Sequence, residues 1–406
     1  MNRNLKIVHL VGGEENSGAF KGANLLHNDL CRSNIDSKII YEKKIDKKSL
    51  FLRKIRRNYE KFPKIFFPKR EGTSFSSGIV GINFLKDKSY LDADLVHLHW
   101  INNGFFNISH LSKINKPIVW TLRDMWSFTG GCHYTLGCNK FEKTCHKCPQ
   151  LNSKISYDLS TFNQNRKEKY LKNKNISFVV NSNWMEKMAK KSKILQDEKV
   201  YTFFPSFDLN NFYHEYDNTL KNKLNLNPQK KIILYGAQNI EAKYKGFNYF
   251  LDSLDNLDKS KFVIIFFGHL WNENEIKKKK IEYIKLGFVN DPNFQRKIYS
   301  ISDIFVASSL QEGFPKTVAE SLLCKTPVVY FKNTSIEDIC ESKIVGGYGA
   351  KYCDSKDLAN GINWLSDQKD NAKDLAEKAS VKILKSFNSE ILIKNYITLY
   401  DKITKI

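Results

Sequence analysis

The chain has 406 residues, and none of its stretches reaches the ~18 uncharged apolar residues of a membrane-crossing helix. Its first residues, 1–11, are a charged start leading into a short strand. They lack the apolar core and small-residue cleavage site of a secretory leader. Together these two absences lead us to expect a cytoplasmic protein. No internal sequence repeat is visible either, so the two halves are similar only in kind. Negative charge is in short supply, with 43 Asp and Glu against 65 Lys and Arg, a formal charge of +22. What the chain does have is 41% hydrophobic and 13% aromatic residues, the content of a globular protein and not of a disordered one. That length predicts two domains, each able to bury its own core.

The excess of positive charge is uneven. Residues 51–70 hold eight Lys or Arg against one Glu, interleaved with Phe51, Leu52, Ile55, Tyr59, Phe62, Ile65, Phe66 and Phe67. Basic residues mixed with aromatics suit an anionic membrane surface, at about 1 kcal/mol per well-placed cation. The competing reading is a solvated helix beside the core. Such a patch would also attract nucleic acid, but no recognition module accompanies it, so no nucleic acid is expected.

Apolar strand-like segments alternate with helical spacing along both halves, at 5–11, 35–41, 93–100, 117–122, 176–181 and 199–203, then at 231–235, 262–268, 284–289, 304–307 and 327–331. This alternation predicts α/β architecture with parallel sheets. A polar, turn-rich stretch at 205–218 marks the boundary. The domains expected are 1–205, with a Cys-rich insertion at 130–150, and 206–385. A C-terminal helical segment, 386–406, is expected to pack back on the first.

One short run organises the second half. Ser308–Leu323 follows an apolar strand and leads into a helix, with Glu312, Gly313, Phe314 and Pro315 at the helix mouth and Glu320 inside it. Pro315 suits the first helical position, and Gly313 leaves backbone room where unpaired N–H groups and the helix dipole hold an anion. Two carboxylates beside an anion site suit a ligand carrying hydroxyls next to its phosphates, such as a nucleotide sugar. An amphipathic helix with two solvated carboxylates is the plainer reading.

Glu-x7-Glu with Gly-Phe-Pro after the first Glu resembles the signature of retaining GT-B glycosyltransferases of family 4. Ser17–Ala23 and the stretch 94–149 resemble that family's colanic-acid and capsule branch. The resemblance implies a GT-B fold, α/β with two Rossmann-like domains facing a central cleft. It implies transfer of a sugar from a nucleoside-diphosphate donor to a saccharide acceptor, lipid-linked, in surface polysaccharide assembly. Roles carried over place donor-sugar hydroxyls on Glu312, the ribose on Glu320, and sugar and phosphate on the backbone of Gly313, Phe314 and Pro315. They also place donor phosphate near Gly18 and Lys245, and the reacting sugar near His99. Glu312 and His99 are therefore the catalytic candidates, and no cofactor is required. An Arg usual before Lys245 is missing, and Arg123 stands where the branch has His. A satisfied structural histidine remains the rival for His99, and a tight turn the rival for the glycines. The enzyme would work in the cytoplasm, at the inner face of the plasma membrane through 51–70. A non-enzymatic, basic, zinc-containing protein binding RNA or membrane is the alternative.

Half of the eight cysteines, Cys132, Cys138, Cys145 and Cys148, fall within 17 positions. In a cytoplasmic chain this clustering predicts a structural, tetrahedral zinc site; a reduced thiol-rich loop is the alternative.

Overall fold

The computed structural model describes residues 5–405 except 16, 43–49, 62–64, 72–73, 207–210, 216–217 and 369. Parts of the expected 51–70 patch and of the 205–218 boundary therefore lie outside the described residues. The chain divides into two compact units, 1–205 with 389–406, and 206–388.

The first unit is built on a six-stranded sheet of order β2-β1-β3-β4-β5-β6, formed by Lys6–Val11 (β1), Asp36–Tyr41 (β2), Leu95–Leu98 (β3), Ile118–Leu122 (β4), Ile176–Val180 (β5) and Val200–Thr202 (β6). Every ladder is parallel. Parallel strands need covering on both faces, which is why the central ones read as unbroken apolar runs. One face presents Val8, Leu10, Val96, Leu98, Trp120 and Phe178 to the larger core. The other presents Ile7, Leu95, Val119 and Val179 to two helices, Gly18–Arg32 (α1) and Ser389–Thr404 (α5). Ser17 caps α1, its Oγ accepting from the Phe20 amide at 3.2 Å.

A second six-stranded sheet, order β12-β11-β10-β7-β8-β9, forms the second unit. Its strands are Lys231–Asn239 (β7), Phe262–His269 (β8), Glu282–Lys285 (β9), Ile304–Ala307 (β10), Val328–Phe331 (β11) and Gly347–Ala350 (β12), again all parallel. Its core joins these strands to Phe250, Leu254, Leu358 and Ile362 from the flanking helices.

Three further helices matter below: Leu50–Lys61 (α2) in the first unit, and Phe247–Ser253 (α3) and Lys316–Leu323 (α4) in the second. Among the described residues no helix is long and apolar enough to cross a membrane.

Candidate active site

In the second unit the chain leaves β10 at Ala307 and turns through 308–315 before α4 begins. Pro315 is the capping residue and not, as the sequence suggested, the first helical one. The amides of Val318 and Ala319 bond its carbonyl at 3.1 and 3.3 Å. The shift is one position, within the usual latitude of helix ends.

A second loop is fastened to this turn. The Leu310 amide donates to the Tyr244 carbonyl at 2.7 Å. Ser308 Oγ and the Tyr235 hydroxyl each donate to the Lys245 carbonyl at 3.1 Å. Gly246, at φ +65°, caps the start of α3, and a Cβ there would stand 2.0 Å from the Ser308 carbonyl oxygen. Only glycine permits that approach.

The fastening brings Lys245 onto Glu312. Their side chains form an ion pair, each 14% exposed. Burial opposes the charged ammonium, but the Glu312 carboxylate outweighs it and holds Lys245 above its ordinary pKa. Glu320 lies one turn into α4, where the Tyr299 hydroxyl donates to its Oε2 at 3.2 Å. Burial raises the pKa of Glu320, against the opposing pull of Lys316 and of the Tyr299 bond. Gly313 is buried, and the Phe314 ring lies 5.5 Å from that of Phe387. Five of the sequence candidates thus gather around one turn, with Lys245 beside them. Tyr299 and Tyr235 were missed, since no spacing rule in the sequence links them to the motif.

The other two candidates belong to the first unit. Gly18 is the first residue of α1, and a Cβ there would meet nothing within 4 Å. His99 follows β3 and is fully buried. Its Nε2 lies 2.9 Å from Nδ1 of His9, and its ring centroid 4.1 Å from that of His97. His97 is bonded at both nitrogens, to the Tyr400 hydroxyl and to Thr121 Oγ1, each at 2.7 Å. Burial pushes all three imidazoles down, His9 to about 3, so they are neutral at pH 7. His9 Nε2 and His99 Nδ1 are buried without a partner. Beside them Arg123 is half-buried, with Asn181 Oδ1 at 3.4 Å and its guanidinium 3.2 Å from where a Cβ on Gly22 would stand.

Among the described residues these three histidines are the one group of metal-ligating atoms lying mutually within 4.8 Å. The four clustered cysteines do not form such a group, which departs from the tetrahedral set the sequence predicted. They are free thiols around one cavity of about 20 Å³. Burial pushes Cys132 and Cys148 up, and Cys145 up to about 12. The loop between them is held by polar contacts of its own. Gln164 accepts from the Cys145 amide at 2.6 Å, and Asp158 from the Cys148 amide at 2.7 Å.

Residues 217–382 match the family model described as Glycosyl transferases group 1. The chain carries a group 1 glycosyltransferase domain. That glycosyltransferase domain contains Lys245, Glu312 to Pro315 and Glu320. Two curated relatives are similar in sequence. One is the putative colanic acid biosynthesis glycosyl transferase WcaC of Escherichia coli, 40% identical over 63 residues, 14% of this chain and 16% of that protein. The other is the N,N'-diacetylbacillosaminyl-diphospho-undecaprenol alpha-1,3-N-acetylgalactosaminyltransferase of Campylobacter jejuni, 30% identical over 207 residues, 49% of this chain and 53% of that protein. The chain thus spans about half the length, or less, of these curated relatives. Among solved structures, sucrose-phosphate synthase from Thermosynechococcus elongatus superposes with a TM-score of 0.69 at 15% identity, covering 98% of both chains. The fold of the glycosyltransferase-domain protein is therefore GT-B, an α/β architecture of two parallel-sheet units.

Proposed function

We propose that the protein is a retaining glycosyltransferase that moves a sugar from a nucleoside diphosphate to a saccharide acceptor in surface polysaccharide assembly. The observation carrying this reading is the Lys245–Glu312 pair at the head of α4, with Glu320 one turn further on, inside the matched domain. A nucleotide sugar offers each group a better partner than it now has. Its diphosphate takes the Lys245 ammonium, and its sugar hydroxyls donate to the Glu312 carboxylate thus released. Ribose hydroxyls take Glu320, whose Tyr299 bond already fixes its direction. As the glycosidic bond breaks, charge grows on the leaving diphosphate, where Lys245 and the amide end of α4 stabilise it. The chemistry is electrostatic and assigns no cofactor. Nucleotide release from a panel of UDP-, GDP- and ADP-sugars tests the reading. Wild-type turnover with one donor, lost in Glu312→Ala and Glu320→Ala, is the expected outcome; unchanged turnover and donor affinity in both variants would end it.

The acceptor we propose is lipid-linked, met at an anionic membrane face. Support comes from α2, which is amphipathic the wrong way round for a soluble core. Its inward side is polar: Glu60 accepts from the amides of Ser77 and Gly78 at 2.6 and 2.8 Å, and Arg57 pairs with Glu42 at 2.9 Å. Its outward side carries Phe51 and Tyr59, 72% and 60% exposed, followed by Phe66 at 71%. Aromatic side chains set among cations are what a lipid headgroup region accommodates.

A structural zinc at Cys132, Cys138, Cys145 and Cys148 is a further part of the proposal. The buried Lys167 ammonium supports it: among the described residues its hydrogen-bond partners are the Trp126 and Thr129 carbonyls, and Asp124 acts on it along with the Cys132 and Cys145 thiols. A four-thiolate zinc centre is doubly negative and would add countercharge to that of Asp124. About one zinc per chain by elemental analysis, lost in Cys148→Ser, is expected; a zinc-free, stable protein would remove it.

A further inference from the structure

Arg123 follows β4 directly, at the carboxyl end of an inner strand of the first sheet, where open α/β sheets collect their ligands. Among the described residues its hydrogen-bond partner is Asn181 Oδ1, a neutral oxygen at the long distance of 3.4 Å, and its Nε is buried with none. Burial disfavours the charged guanidinium, and the group acting the other way is the Tyr396 hydroxyl. That phenol is neutral at pH 7, because burial pushes its own pKa up. Asp124, next in the chain, does not pair with Arg123. Its Oδ2 accepts from Trp100 Nε1 at 2.9 Å and from His133 Nδ1 at 2.6 Å, and its Oδ1 from the Trp126 amide at 2.9 Å.

The fold nevertheless holds this guanidinium in place. Asn181 Nδ2 donates to the Phe203 carbonyl at 3.1 Å, which turns its oxygen towards Arg123. Helix α1 makes room for the group with a glycine. A Cβ on Gly22 would stand 3.2 Å from Nη2 and 3.3 Å from Nη1, so any larger residue would press on the guanidinium. Glycine weakens a helix interior, and Gly22 lies inside α1 without a left-handed φ to require it. What it contributes there is space.

A half-buried cation that is fixed, unpaired and reachable from solvent suits an anion of the substrate. The charge count narrows the kind. Arg123 is the only Lys or Arg among the described residues that line the small cavity beside it, and burial keeps the nearby imidazoles of His97 and His99 neutral. One guanidinium balances one negative charge, where a phosphate or diphosphate calls for more. A carboxylate meets that requirement: it is planar, singly charged and matched to the two-donor edge of Arg. Among sugars, the class that carries a carboxylate is the uronic acids. We propose that Arg123 is a specificity-determining residue that pairs with the carboxylate of a hexuronic acid, supplied by the donor or by the acceptor. The inference rests on the reading of the protein as a glycosyltransferase and deepens it by naming the class of sugar.

Binding to the purified full chain tests this without turnover. The donor arm compares UDP-glucuronic acid with UDP-glucose, UDP-galacturonic acid with UDP-galactose, and GDP-mannuronic acid with GDP-mannose. The acceptor arm compares methyl glucuronide with methyl glucoside in the presence of UDP. In one arm the uronic acid should bind about 10- to 100-fold more tightly than its neutral counterpart, the range of a hydrogen bond to a charged group. Preference in the first arm assigns Arg123 to the donor sugar, and preference in the second to the acceptor. Arg123→Gln should bring each pair to parity, and Arg123→Lys, with the charge but not the fork, should keep part of the preference. A purely structural role would instead lower the melting temperature and leave the preference unchanged. Gly22→Ala keeps the arginine, favours the helix and pushes the guanidinium aside, so it should narrow the preference too. No preference in either arm, or one that survives Arg123→Gln, overturns the proposal. Should Arg123→Gln fail to fold, a preference unchanged in Gly22→Ala overturns it. Donor binding and turnover with no preference for a uronic acid would sink this inference and leave the glycosyltransferase reading intact. An Arg123-dependent preference for methyl glucuronide in a protein that binds no nucleotide sugar would do the reverse.

Discussion

Two polar clusters, one in each unit, lie within parallel strands or in the loops that follow them, and they solve the same problem differently. In the second unit, Lys245 and Glu312 keep their charges by pairing, and each retains some contact with solvent. In the first, His9, His97 and His99 give up charge altogether, and burial keeps their imidazoles neutral. The ion pair is exchangeable, because a ligand with phosphates and hydroxyls can replace each partner. Within the histidine network His97 is committed, both its nitrogens serving Tyr400 and Thr121, whereas His9 Nε2 and His99 Nδ1 have no hydrogen-bond partner. What separates the two clusters is how readily their groups change partners: the ion pair can, and His97 cannot.

The contrast is broken most severely by Glu312→Ala. Removing the carboxylate deletes the contact proposed for the donor sugar and leaves Lys245 buried and unpaired. Turnover should drop about 10²–10³-fold, assayed as nucleotide release. Folding stability should fall as well, by about 3 kcal/mol in urea titration. Gly246→Ala tests the fastening beneath the pair. Its Cβ would collide with the Ser308 carbonyl at a left-handed φ, so we expect a loss of about 2–3 kcal/mol and a donor affinity that falls with it.

The histidine cluster sharpens the comparison through pH. Its folded pKa values lie below the unfolded value of about 6.5, so the unfolded chain binds the extra protons. Stability is therefore full above pH ~6.5 and declines as pH falls below it, by up to ~1.4 kcal/mol per pH unit for each histidine. Urea midpoints measured from pH 7.5 down to 5 should show this, and His9→Gln should flatten the slope. A pH-independent midpoint would mean that the imidazoles are not buried as described. The smallest effect belongs to Tyr299→Phe. Losing one hydrogen bond to Glu320 should weaken donor affinity by about 1 kcal/mol, with little change in fold stability.

Much of this was legible in the sequence, and the reasons are physical. Parallel strands covered on both faces announce themselves as short apolar runs, and β10 was bounded at 304–307 from such a run. The Glu312–Glu320 segment was legible because a strand, a glycine and a helix start must follow one another closely there. Contacts between distant segments were not legible. Tyr299 reaching Glu320 and Ser308 clasping Lys245 depend on how strands are ordered in the sheet, which spacing does not encode. His99 illustrates the same limit: only the pairing of β1 with β3 brings His9 against it and His97. The cysteines looked like a zinc set by count; the fold gathers all four around one cavity, but not as a mutually close group of ligand atoms. For α2, composition indicated cations and aromatics together, but not that they would be sorted onto separate faces.

The return of the last segment has a consequence for how the molecule comes into being. Tyr396 and Tyr400 on α5 reach Thr121 and His97 in the first sheet, so residues made after the second unit complete a core begun before it. During synthesis the unit at 206–388 emerges whole and is free to fold while its predecessor still waits for a missing wall. A stop codon ahead of residue 389 would thus spare the later-made unit and leave the earlier one with an exposed apolar flank, an easy mark for proteases.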